Sequence, residues 1–94
     1  MPRIPTVEVS RPILNSMFRK FDIWHGIKNG TLTSNIVSSR PSSRWPTAIS
    51  EIIKHFTQKG QHIATTHRVR DASGQVVHWD AKDFRLKNIR YWRV

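Results

Sequence analysis

The hydrophobic pattern of this chain changes its period part-way along. Between Pro12 and Trp24, large apolar residues recur at steps of three and four, which is typical of one face of a helix. From residue 61 onward, apolar and polar residues alternate in short runs separated by turn-forming residues, which is typical of strands. Helices followed by an antiparallel meander form an α+β domain, so the order of these two patterns predicts the fold class.

Two N-terminal helices are predicted. The first begins at Pro12 and ends between residues 26 and 30, where glycines occur. The second is predicted at about residues 46–59, closed by Lys59-Gly60, because a basic residue and then glycine suit a helix C-terminus. The apolar stripe of this second helix would consist of Ile49, Ile52, Ile53 and Phe56.

The remaining segments complete a single small domain. Residues 1–11 contain Pro2 and Pro5 and are expected to form an extended arm or a short edge strand, ahead of a single α+β domain at 12–94. The serine, arginine and proline residues at 38–46 cannot build a core, which predicts an exposed loop. The final third is expected to form a three- to four-stranded antiparallel β-meander.

The charge of the chain predicts a polyanionic partner. The 94 residues include 16 Lys and Arg against 6 Asp and Glu, for a formal charge of +10. No fold needs this excess for stability, because self-repulsion opposes compaction. Nucleic acid is the first candidate, RNA more than DNA; an acidic protein partner or inhibitor and an anionic lipid surface are the alternatives.

Composition also excludes several classes of protein. The chain has no cysteine, which removes disulfides, zinc knuckles and thiolate nucleophiles. No apolar run approaches the ~20 residues of a membrane span, and residues 1–5 lack the apolar region of a secretory leader. We therefore expect a cytoplasmic protein without a membrane partner.

The hairpin formed by residues 61–80 holds the densest set of reactive side chains. If its turn is Asp71 to Gly74, His67 faces His78 and Thr65 faces Asp80, all on one side of the sheet. A turn of different length or a β-bulge would re-sort these pairs.

Two facing histidines suit metal-independent cleavage of RNA. A neutral imidazole can take the proton of a ribose 2′-OH, and a charged one can protonate the leaving oxygen. His67 and His78 are therefore the candidate catalytic pair, with Asp80 holding one ring in a single tautomer and the hydroxyl of Thr65 nearby. The structural alternative is that both histidines are half-buried strand residues bonded to neighbouring threonines.

No metal site and no cofactor are predicted. His62 and His67 are five residues apart, which in a regular strand places them on opposite faces. His55 falls near the end of the predicted second helix, where the helix dipole favours a cation and no ligand role is needed.

Arginines interleaved with aromatic residues predict a nucleic-acid interface, because guanidinium groups bind phosphate and aromatic rings stack on unpaired bases. In the sheet region, Arg68 and Arg70 are the expected phosphate contacts and Trp79 or Trp92 the stacking groups. The other candidates are Arg40, Arg44 and Trp45 in the loop, and Arg90 and Arg93 in the last strand.

These features support three functional hypotheses. The first is a nucleic-acid-binding domain that cleaves RNA; its general plan resembles that of several small bacterial ribonuclease and toxin domains, a resemblance of fold only. The second is a non-catalytic DNA- or RNA-binding accessory protein of phage, plasmid or ribosome-associated type. The third is a protein-interaction module for an acidic partner.

Overall fold

The computed structural model describes residues 4–94; residues 1–3 of the predicted arm lie outside the described part. Within the described residues the chain contains two helices, α1 (Arg11–Lys20) and α2 (Ile23–Asn29). Its strands are β1 (Thr6–Val9), β2 (Thr33–Pro41), β3 (Ile49–Phe56), β4 (His62–Arg70), β5 (Val76–Leu86) and β6 (Ile89–Arg93).

The strands form one mixed sheet in the order β1-β6-β5-β4-β3-β2. Strand β1 pairs with β6 in parallel, and every other neighbouring pair is antiparallel. Because β1 and β2 occupy opposite edges, the two helices carry the chain across the sheet. The predicted α+β class is confirmed; the meander has five strands, β2 to β6, rather than three or four.

The single helix predicted from Pro12 is divided into α1 and α2. Ser10 is the N-cap of α1, and its hydroxyl accepts from the backbone N–H of Ile13 at 3.5 Å. Between the helices, Asp22 adopts a left-handed conformation with φ of 57°. This residue turns the chain, so both N-terminal helices of the structure lie within the first predicted one.

The predicted helix at 46–59 is wrong, because this segment contains strand β3. The spacing of its apolar residues fits the period of a helix as well as that of a strand, and its isoleucines favour a strand. The polar residues Glu51 and His55 interrupt the alternation that would have indicated the strand. Both side chains are fully buried, at 1% and 0% exposure, and hydrogen-bonded there.

The predicted exposed loop at 38–46 is shorter in the structure, because residues 38–41 belong to β2. The connection to β3 is closed by a backbone hydrogen bond from Ser42 to Ala48 of 2.8 Å. The hydroxyl of Ser42 also accepts from the backbone N–H groups of Arg44 and Trp45 at 3.2 and 3.1 Å. These bonds give the connection a defined shape.

Both helices pack against the same face of the sheet. The buried cluster joins three helical side chains to three from β4 and β5: Leu14, Phe18, Ile23, Ala64, Ala81 and Phe84. The rings of Phe18 and Phe84 meet edge to face with centroids 6.2 Å apart. The opposite face, here called the open face, carries neither α1 nor α2.

Candidate nucleic-acid interface

The register of β4 and β5 places different residues opposite each other from those predicted. His67 pairs with Asp80 and His78 pairs with Val69, with a β-bulge between Val69 and Arg70. The predicted pairing of His67 with His78 is therefore wrong. The pairing has moved by two residues, an even number, so both histidines still lie on one face. That face is the open face.

The two imidazole rings nevertheless come together. The ring centroids of His67 and His78 are 5.7 Å apart, and the planes are inclined at 61°. Nε2 of His67 lies 2.5 Å from Oγ of Ser50 on β3, and the ring of His78 stacks on Trp45 at 5.6 Å. Burial, together with the neighbouring His78, lowers the pKa of His67.

Asp80 lies beside the histidines and is 7% exposed. Its Oδ2 accepts from Nη2 of Arg11 at 2.6 Å and from Nη1 of Arg93, and lies 3.9 Å from Nε2 of His78. The predicted partner of Asp80 was a histidine ring. The structure instead bonds this carboxylate to two arginines and leaves His78 at the limit of ion-pair distance.

A cleft on the open face is formed by two cavities of about 370 and 380 Å³ that share Arg40, Ser50 and His67. Lys82 lines one of them, and the other extends along the connection that carries Arg44. Among residues 4–94, no acidic side chain lines either cavity. The cleft therefore brings His67 together with cations from three different segments, which suits a phosphate-bearing ligand.

Arg68, Arg70 and Trp79 lie on the face that carries the helices. Oε1 of Glu51 accepts from Nε of Arg68 at 3.0 Å and from Nε of Arg70 at 2.8 Å, and its Oε2 accepts from Nη2 of Arg70 at 2.8 Å. Trp79 packs edge to face on Trp24, with centroids 5.4 Å apart. These predicted binding residues are thus directed away from the histidine pair.

The predicted residues of the last strand are divided between two places. Arg93 reaches Asp80 at the cleft. Farther along the open face, Nε of Arg90 donates to Oδ2 of Asp83 at 2.8 Å, and its guanidinium lies 4.3 Å from the ring centroid of Trp92. Lys82 also lies over Trp92, at 5.3 Å. Trp92 is therefore a half-buried ring flanked by cations.

Thr65 is associated with His62 rather than with His67 and His78. Its Oγ1 lies 2.9 Å from Nε2 of His62. The ladder shifts at the start of β4, so that His62 pairs with Phe56 while Ala64 pairs with His55. Ile63 is the extra residue, and it places His62 on the open face with His67, contrary to the prediction that the two histidines point apart.

His55 is a structural residue of the core. Its Nδ1 lies 2.7 Å from Oγ of Ser34 and its Nε2 lies 2.8 Å from Oγ1 of Thr66, which also accepts from Nε1 of Trp79 at 3.0 Å. Burial lowers the pKa of His55 to about 4. Both ring nitrogens have neutral partners, so the prediction of a cation at a helix end is wrong.

Sequence reasoning missed three residues of the cleft: Arg11, Ser50 and Lys82. Ser50 fell within the wrongly predicted helix, and Arg11 was assigned to the extended arm. Lys82 follows Asp80 by two residues and therefore shares its face, and the β-bulge at this position, where Ala81 pairs with Thr66 and Asp83 with Thr65, keeps Asp83 on the open face as well. No local sequence pattern marks that bulge.

Comparison of the chain with known protein families, curated proteins and solved structures found no significant match. Within residues 4–94, the helices are too short and too polar to cross a membrane. In the same part of the chain, no three His, Asp or Glu side chains come together as a metal site.

Proposed function

We propose that the protein binds single-stranded RNA in the cleft and cleaves it without a metal ion, using His67 and His78. The observation that carries this proposal is the 5.7 Å separation of the two rings, beside cavities whose described lining residues include no acid. A catalytic acid and base must both reach one phosphodiester, and two rings in contact satisfy that condition.

The lowered pKa of His67 makes this residue the base, because its neutral form prevails at pH 7. His67 takes the proton from a ribose 2′-OH, and the 2′ oxygen forms a bond to the adjacent phosphorus. The P–O5′ bond breaks, and protonated His78 gives its proton to the departing 5′ oxygen. The products are a 2′,3′-cyclic phosphate and a 5′-hydroxyl.

Cations around the cleft would stabilise the charge on the phosphorane. Arg40 and Lys82 line the cavity that contains His67, and Arg93 lines the one that also contains His78. Oriented cations near developing charge commonly contribute more to the rate than any other factor. Arg44, whose guanidinium lies 4.9 Å from the ring centroid of Trp45, would hold the strand beside the cleft.

The proposal is tested with a labelled RNA strand in EDTA and the same strand with 2′-deoxyribose at every position. We expect cleavage of the RNA alone, with cyclic phosphate ends identified by mass spectrometry. H67N and H78N should each lower the rate at least ~100-fold. The matched control is H25N, which changes an exposed histidine of α2. Cleavage of the deoxy strand, full activity of an H67N/H78N double variant, or no RNA cleavage at all would refute the proposal.

A further inference from the structure

We propose that a separate cavity, where β4 begins and β5 turns into β6, is a phosphate-binding site. The cavity has a volume of about 320 Å³. Its lining includes Gln61, His62, Arg85, Leu86, Lys87 and Asn88, and no acidic residue of the described part of the chain lines it. The lining residues thus include two permanently charged cations, Arg85 and Lys87. His62 and the amides of Gln61 and Asn88 complete a group of side chains that can donate hydrogen bonds to an oxyanion.

Arg85 differs from the other half-buried arginines of the sheet. Arg68 and Arg70 bind Glu51, while Arg90 and Arg93 bind Asp83 and Asp80. Within residues 4–94, the guanidinium of Arg85 donates no hydrogen bond, and its Nε is buried without a partner. A guanidinium without a protein partner is able to bind phosphate through two parallel hydrogen bonds.

His62 is held against the same cavity. Its Nε2 lies 2.9 Å from the carbonyl oxygen of Ala64, which only accepts, so the proton of the neutral ring is on Nε2. The charge of Arg85 acts on this ring and, after burial, is the next cause that lowers the pKa of His62. A bound anion would offset the repulsion between these two groups.

The turn between β5 and β6 fixes the remaining donors. Lys87 and Asn88 connect the paired residues Leu86 and Ile89, and both have positive φ, 50° and 63°. Asparagine accepts this conformation readily, whereas lysine rarely adopts it. This turn places Lys87 in the lining of the cavity.

Asp83 is the nearest carboxylate to be considered. Although buried at 1% exposure, it is paired with Arg90 through Oδ2, and it does not line the cavity. Within residues 4–94, Oδ1 of Asp83 is buried without a hydrogen-bond partner and the charge of Asp83 acts on His62, but that charge is matched by the charge of Arg90. The local balance of charge around Arg85 and Lys87 therefore remains positive.

His62 and Arg85 of this cavity lie on the same open face as the cleft. His62 precedes His67 by five residues of β4, a distance of about 16 Å at the usual rise of a strand. Provided that the proposed function holds, the phosphate in this cavity belongs to the RNA strand whose scissile phosphate lies at His67 and His78. The preferred substrate is then an extended single strand with several phosphates.

The site is tested by titrating the full chain with inorganic phosphate and following the Nε–H signal of Arg85 and the backbone amides of Lys87 and Asn88 by NMR. We expect saturable shifts in these signals. R85Q should weaken phosphate binding at least ~5-fold, as should K87Q, a change in an exposed turn that spares the core. R19Q removes a charge from an exposed position on α1 and should change affinity less than ~2-fold. Absent or unsaturable shifts in the unaltered protein would overturn the site.

Two RNA ligands identify the source of the phosphate. R85Q should weaken binding of a long oligonucleotide but leave that of a dinucleotide unchanged, because a dinucleotide cannot extend from the histidines to Arg85. Equal affinity of R85Q for the long strand would overturn the link to RNA and assign the site to free phosphate. Phosphate shifts at Arg85 in a protein that cleaves no RNA would refute the proposed function while supporting this site.

Discussion

His67 and His78 are in contact although neither is the ladder partner of the other. His67 is opposite Asp80, and its ring meets that of His78 diagonally across β4 and β5, with centroids 5.7 Å apart. Diagonal neighbours in an antiparallel pair remain within reach of ring side chains. The β-bulge near Val77 sets this diagonal relationship, since it decides which residue of β5 lies beside each residue of β4.

The pH dependence of RNA cleavage should reflect the lowered pKa of His67. A base must be neutral, so on the acidic side the rate falls once the pH drops below the pKa of His67, which lies under the ordinary value of 6.5. We expect the acidic limb of kcat/KM to have its midpoint below pH 6.5, measured by initial rates between pH 4 and 9. A midpoint above 6.5 would assign the base to another group.

The salt dependence of RNA binding should report the phosphate contact of Arg40, which lines both cavities of the cleft. Each phosphate contact with a single strand contributes about −0.7 to the slope of log K against log salt. R40Q should therefore reduce the slope by about 0.7, measured with a non-cleavable 2′-O-methyl strand. R19Q is the matched control and should retain the slope of the wild type. An equal reduction of the slope in both variants would indicate only non-specific electrostatic attraction between the protein and the RNA.

Acid should destabilise the fold through His55. Its pKa is about 4 in the folded chain against 6.5 when exposed, so the unfolded chain takes up the proton first as the pH falls. Between pH 6.5 and 4 this residue should remove about 3 kcal/mol from the free energy of unfolding. His62 and His67, whose pKa values are also lowered, act in the same direction.

The contribution of His55 is isolated by comparing urea unfolding of the wild type, H55Q and H25Q across this pH range. H55Q should be less stable at pH 7, because its hydrogen bonds to Ser34 and Thr66 are disturbed. It should also show a smaller loss on acidification. H25Q should match the wild type; a pH dependence unchanged in H55Q would show that other groups cause the acid sensitivity.

Replacement of Glu51 should destabilise the helix-bearing face. The hydrogen bond from Arg70, followed by the contacts of Arg68, keeps the pKa of Glu51 below 4.5, although burial opposes this. E51Q should lower the free energy of unfolding by about 2 kcal/mol at pH 7, less than for a fully buried pair because Arg70 is partly exposed.

The pH dependence of this stabilisation gives a second test of the ion pairs of Glu51. Because the folded-state pKa is lowered, the stabilisation is present above about pH 4.5 and is lost as the pH falls through the folded-state pKa. The difference between E51Q and the wild type should therefore shrink in acid. E8Q alters an exposed carboxylate of β1 and serves as the control. A difference that grows in acid would contradict the ion-pair explanation.

Local hydrophobic patterns predicted the structure correctly where the burial of one apolar face alone decides it. The apolar stripe from Leu14 to Phe18 predicted helix α1, and alternation placed His67 and His78 on one face even with the wrong register. The pattern failed at β3, where Glu51 and His55 occupy buried positions. Their partners, Arg70 and Thr66, come from the next strand, and such pairing across strands leaves no trace in a local window.

The residues of the cleft could not be predicted from local sequence patterns, because they are brought together only by the assembled sheet. Bulges at Ile63 and Lys82 decide which side chains reach the open face, and neither position carries a glycine or another residue that marks a bulge. Arg11 reaches Asp80 from a distant part of the chain. A contact of this kind follows from how the helices cross the sheet, which sequence periodicity does not determine.

The crossing of the helices from one edge of the sheet to the other has a kinetic consequence. Strands β2 to β6 join sequence neighbours and can zip together through short turns, whereas β1 must close onto β6 across most of the chain, as in the hydrogen bond from Arg90 to Pro5 of 2.9 Å. Loop-closure entropy makes such a distant contact late to form. The meander is thus expected to assemble first, and the docking of β1 to complete the native state.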